Sequence, residues 1–145
     1  MNTELTFVEK VSADQIKFGQ KLDLDLSELS IGVAKALIDD YSDKYFFKIE
    51  LKQLTVKQIM YAHDLGFDIS KMTKRQGEAF LNDILYQKNF ETIKKERLNP
   101  GVRVKNIHDK FNRVEVISSI AKDGTVYLKG GDGKRAWARN LRSVK

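Results

Sequence analysis

The side chains able to do chemistry in this chain are cations interleaved with aromatics rather than nucleophiles or metal ligands. Lys71, Lys74 and Arg75 fall at or just inside the amino end of a helix that Thr73 is placed to cap. Free amides and the helix dipole already favour a phosphate at such an end. Arg103, Lys105, Lys129, Lys134, Arg135, Arg139 and Arg142 crowd into the C-terminal stretch with Tyr127 and Trp137. Cations of that density neutralise phosphates while an aromatic stacks on a base. A lone tryptophan among short alternating strands reads first as core and only second as a stacking platform.

Other constellations carry less. Asp25 and Asp68 are each followed by an apolar residue and a serine, a pattern that satisfies loop amides and caps helices before it does acid–base work. His63 and His108 have no ligand or triad partner at a useful spacing, and with no cysteine in the chain disulfides and thiolate metal sites are excluded. Gly130-Gly131-Asp132-Gly133 lacks the Lys-Ser/Thr of a phosphate-binding loop and reads as a turn. No catalytic residue, metal or cofactor is expected.

Charge is graded along the chain. Residues 1–53 carry 7 Lys/Arg against 10 Asp/Glu, residues 54–100 carry 8 against 6, and residues 101–145 carry 11 against 4. The overall charge of +6 therefore hides a basic C-terminal end suited to a polyanion. No apolar run approaches the roughly 20 residues of a membrane span, and no basic start leads into an apolar core as in a secretory signal. A cytoplasmic location without membrane contact is expected.

The elements that must position these groups begin with a duplication. Residues 12–51 lie over 55–94 without a gap: Gln15, Ile16, Leu22, Asp25, Ser27, Ala36, Asp40 and Phe47 recur as Gln58, Ile59, Leu65, Asp68, Ser70, Ala79, Asp83 and Phe90. Self-similarity at this period predicts two copies of one supersecondary unit. In each, Ser12 or Thr55 caps a first helix, an extended piece alternates apolar and acidic residues, and Ser30 or Thr73 caps a second helix. Gly66, with Asp23 at the matching place, suits the left-handed end of the first helix. Tyr45 to Leu51 reads as helix continuation, because Phe47 aligns with Phe90. Asn99-Pro100-Gly101 is the strongest boundary. After it the period changes to two, predicting four or five short strands with hairpin turns at Asp123-Gly124 and Asp132-Gly133. The expected fold class is α+β: a lead-in over 1–11, helical repeats over 12–53 and 54–99, and a small five-stranded β-barrel over 100–145.

Thr55-Val-Lys-Gln-Ile-Met-Tyr-Ala-His-Asp-Leu-Gly-Phe-Asp-Ile-Ser-Lys-Met-Thr-Lys-Arg-Gln resembles the helix–extended loop–helix units of the SAP-like type, which are appended to DNA-acting proteins. The first copy has Ile31-Gly32 where the second has Lys74-Arg75. Separately, Gly101-Val-Arg-Val-Lys, Asp123-Gly-Thr-Val-Tyr-Leu and Arg139-Asn-Leu resemble an SH3-like barrel of the KOW or Tudor sort. These resemblances imply a non-enzymatic nucleic-acid-binding protein, DNA before RNA, that uses its basic barrel and second repeat. The alternative is a protein-binding adaptor or inhibitor of the kind encoded by phages and mobile elements, docking through the acidic residues 12–53.

Overall fold

The computed structural model describes residues 5–145 and is α+β, with four helices followed by a five-stranded antiparallel sheet. The helices are α1 (Ala13–Lys21), α2 (Ile31–Tyr45), α3 (Val56–Asp64) and α4 (Lys74–Glu96). The strands are β1 (Arg103–Asn106), β2 (Glu115–Ile120), β3 (Thr125–Leu128), β4 (Arg135–Trp137) and β5 (Leu141–Ser143), with a 3-10 turn, Ala138–Asn140, between the last two. Among the described residues no helix is long and apolar enough to cross a membrane. Two compact units result, one up to Ile84 and one from Leu85 to Lys145.

In the first unit the helix starts follow from side-chain chemistry. Ser12 and Thr55 each accept the N–H three residues on, and Gln15 and Gln58 return the bond to the cap amide, closing two capping boxes. Both first helices stop two residues before a left-handed position, Asp23 at φ 58° and Gly66 at φ 94°. The following loops turn on Asp25 and Asp68, whose carboxylates accept the Ser27 and Ser70 amides at 3.0 and 2.9 Å. Hydrogen bonds from those serines hold both carboxyls below the usual range. The apolar members of the loops, Leu26 and Ile69, are completely buried. Leu26 occupies the space that a side chain on Gly19 would need.

Ser30 and Thr73 then cap α2 and α4 by accepting the Val33 and Gln76 amides. Single bridges Lys10↔Ser30 and Gln53↔Thr73 tie each lead-in to its own second helix. The hydroxyls are used twice, and reciprocally: Ser30 donates to Asp83, while Thr73 donates to Asp40. Asp40 also accepts from Gln76 Nε2 at 2.9 Å and Arg75 Nη1 at 3.2 Å, so three donors compensate a nearly buried carboxylate. Asp83 has fewer partners, and burial pushes its carboxyl up. Ala62, Ile69, Leu81 and Ile84, flanked by Leu54, Ile59, Phe67 and Phe80, fill a core here.

The expected helical run through Leu51 is not present. α2 ends at Tyr45, and Lys48 at φ 54° takes the chain out of helical geometry. Phe47 thus lies in an irregular segment, although its counterpart Phe90 is inside α4. The aromatics do not hold the helix because nothing buries them: Phe46 and Phe47 are 69% and 68% exposed. Helical stability comes mainly from a packed face, which this segment lacks.

The second unit packs the last part of α4 with the sheet, whose order is β4-β3-β2-β1-β5. β2 pairs with β1 through Glu115 and Val116 and with β3 from Ile117 to Ile120, with a register shift between Ile117 and Ser119 in the β3 ladder. β4 and β5 form the edges of these ladders. Alternation sends Val104, Ile117, Val126, Leu128 and Leu141 inward, where they meet Leu98 and Ile93. Each such side chain contributes about 1.5–3 kcal/mol on burial. Pro100 and Gly101 stand in the turn between α4 and β1, while Leu98 just before them already belongs to the sheet's core. Asp123-Gly124 makes the β2–β3 turn, with the Ala121 amide donating to Thr125 O.

Candidate nucleic-acid interface

The cations at the amino end of α4 are compensated locally. Arg75 is paired with Asp43 at 2.8 Å and Asp40 at 3.2 Å. The Asp43 hydrogen bond is the main cause of its raised pKa. Lys74 lines a groove with Arg75, Lys52, Asp40, Asp43, Glu50 and Glu78, so carboxylates outnumber cations there. Lys71 is exposed beside Asp68. A helix amino end that would otherwise attract phosphate is thus filled by the protein's own carboxylates, which come from the end of α2, a neighbour that sequence spacing does not reveal.

In the second unit the cations share the outward positions of the strands. Lys105 and Arg142 are directly opposed across β1 and β5, and Arg103 precedes Lys105 by two residues on the same face. Along β3 and β4, Tyr127 opposes Arg135 and Thr125 opposes Trp137. Trp137 is therefore an outer-face residue, 42% exposed, not a core one; Ala136 takes the inward place. The Arg139 guanidinium lies 5.0 Å from the centre of its ring. Lys129 is exposed just beyond β3, and Lys134 is bonded to Glu115.

Two of these arginines are anchored within the unit. Asn89 on α4, fully buried, accepts the Arg139 amide at 3.0 Å. Arg142 Nη1 donates to Arg139 O at 2.9 Å and Leu141 O at 2.7 Å, and its Nε lies 3.9 Å from Glu96. Arg139 and Arg142 line a groove of about 290 Å3 with Lys88 and Lys95, cations of α4 that helical spacing places together but that no motif marks.

A second set of functional candidates escaped the sequence reading altogether. The β1–β2 connection leaves Ile107, Phe111 and Val114 exposed. Asp109 organises it by accepting the Phe111 amide at 3.0 Å and both the amide and Nε of Arg113 at 3.1 Å. The Arg113 hydrogen bond, ahead of that from Phe111, lowers the Asp109 pKa. Lys110 Nζ and Arg113 Cζ each stand 5.6 Å from the Phe111 ring centre. The available signal was an Asp four residues before an Arg, flanking an aromatic in a polar loop.

Divided at Ile84, the charge contrast widens. The unit from Leu85 has 15 Lys/Arg against 6 Asp/Glu, net +9, and the unit before it has 11 against 14, net −3. No protein-family model, curated protein or solved structure matches the chain.

Proposed function

We propose that this chain is a non-enzymatic nucleic-acid-binding protein, with DNA the expected polymer, gripping phosphates through the outer face of its C-terminal unit. The observation that carries the reading is the placement of Arg103, Lys105, Arg135 and Arg142 on outward strand positions, in a unit of net charge +9 that also exposes Trp137. The carboxylates that might have done acid–base work, Asp25 and Asp68, are spent on loop amides. The SH3-like barrel reading is supported by β5 returning to β1, by the bent and shared β2, and by a single 3-10 turn joining β4 to β5. The tandem SAP-like reading is supported by the doubled capping boxes, doubled loops and reciprocal Ser30–Asp83 and Thr73–Asp40 bonds, the pattern expected when two copies face each other isologously.

Fluorescence anisotropy with labelled DNA tests the proposal. Neutralising about five phosphates gives a log–log salt slope of about −4 to −5, so affinity should fall roughly 300- to 1,000-fold between about 50 and 200 mM salt. A flat salt response would sink the reading.

One observation favours the adaptor alternative. Tyr45, Phe46, Phe47 and Ile49 are all exposed in the acidic unit, an apolar patch of the kind that protein partners cover. On that reading Phe46→Ser with Phe47→Ser abolishes capture of a basic protein partner in a pull-down and leaves DNA binding intact; unchanged capture removes the patch from consideration.

A further inference from the structure

We propose that the groove beneath the β1–β2 loop is a site for single-stranded nucleic acid, with Phe111 as the platform on which a base stacks and Lys110 and Arg135 as the cations that hold the strand's phosphates. The inference rests on the nucleic-acid reading above and narrows it from phosphate attraction to strandedness.

The groove measures about 400 Å3, at the lower end of ligand-sized clefts, and is bounded on one side by residues 106–113 and on the other by Lys134, Arg135 and Ala136 of the β3–β4 side. Such a cleft admits single nucleotides rather than the barrel of a duplex. Phe111 is 70% exposed at its rim, more so than Ile107 and Val114, the other apolar side chains that the loop leaves in solvent. Its position is set rather than loose. Asp109 O accepts the Asn112 amide at 3.1 Å, the Asp109 carboxylate accepts the Phe111 and Arg113 amides, and Asn106 accepts the His108 and Asp109 amides. Asn112, at φ 51°, takes the left-handed conformation that asparagine tolerates, turning the chain directly after the ring.

That arrangement matches what an unpaired strand offers and a duplex does not. Bases in a duplex are already stacked on each other and present only their edges, so an aromatic at a groove rim finds no ring face to cover. An unpaired base offers its face, and its flanking phosphates meet Lys110 and Arg135, the lining cations that no carboxylate pairs among the described residues. Two carboxylates line the groove and would oppose phosphate, and each is bonded to a cation: Glu115 to Lys134 and Asp109 to Arg113.

The test uses the full chain and an oligo-dT of about 12 nucleotides, within the usual site size, against the same strand paired with oligo-dA. Anisotropy at about 50 mM salt should show tighter binding of the single strand. Phe111→Ala should weaken it roughly 5- to 150-fold with little change for the duplex, and Phe111→Trp should restore it. Because the ring is exposed, both variants should unfold at the wild-type temperature, which is checked first. If Phe111→Ala is neutral, or single strand and duplex bind alike and lose affinity together when Lys110 and Arg135 are replaced by serine, the stacking site is refuted while phosphate binding survives. If wild-type protein binds neither probe, both the inference and the reading under it fall, and the adaptor alternative, with a basic protein as its partner, takes their place.

Discussion

Gly124→Ala should lower the free energy of unfolding by about 2–4 kcal/mol, the largest stability loss expected from adding one methyl group to this chain. Two costs combine. Gly124 sits at φ 88°, where any side chain adds strain of about 1–2 kcal/mol. A Cβ there would also stand 2.6 Å from the Cβ of Asn89, and that atom is fixed to a helix and cannot swing aside. Asn89 is in turn committed: it accepts the Arg139 amide at 3.0 Å and donates to Asp123 O at 3.3 Å, while Gly124 O accepts the Ala138 amide at 3.0 Å. The β2–β3 turn, α4 and the 3-10 turn before β5 therefore meet at this point, and displacing one displaces the anchor of Arg139. Gly131→Ala supplies the control, since its φ of 81° carries the same strain but nothing lies within 4 Å of the added atom. Urea titration of both variants separates the terms. Equal losses would show that the contact with Asn89 contributes nothing.

What the sequence discloses of this fold is what short-range chemistry decides. The Ser12/Gln15 and Thr55/Gln58 boxes, the caps at Ser30 and Thr73, and the turn at Asp123-Gly124 all stand where residue types place them, because cap and turn energies depend on neighbours three or four residues away. Long-range pairing was hidden. Nothing local tells that Asp40 and Asp43 fill the amino end of α4, so Arg75 reads as a phosphate ligand until the fold brings it 2.8 Å from Asp43. Trp137 misleads in the opposite sense. Aromatic size argues for burial, but strand register is decided by the whole set of inward residues, and Ala136 with Val126 and Leu128 already fills that side. The duplication itself overreached at one place. Aligning Phe47 with Phe90 transferred a helix to a segment with no packing surface, since equivalence of sequence carries structure only where the contacts are also duplicated. Phe111 was missed because an apolar residue between charged ones has no period to betray it.

Replacing Arg103, Lys105 and Arg135 together with serine should make the salt slope for DNA shallower by about 3 and reduce affinity on the order of 10²- to 10³-fold at about 50 mM salt. The three were chosen for what they do not do. None takes part in an ion pair among the described residues, and all three are exposed on strand positions whose inward neighbours, Val104 and Ala136, build the core. Their removal should leave the fold intact and subtract only counterion release. Arg139 and Arg142 are unsuitable for the purpose, because their bonds to Asn89 and to backbone carbonyls mix structure with binding. Arg75→Gln is the informative contrast: it deletes one positive charge as well, but a charge already paired with Asp40 and Asp43, so it should cost stability and leave the slope unchanged. A slope that follows Arg75 and ignores the triple variant would move the interface to the amino end of α4. A slope that follows the triple variant assigns it to the sheet unit, since only cations that surrender counterions to phosphate can change the exponent.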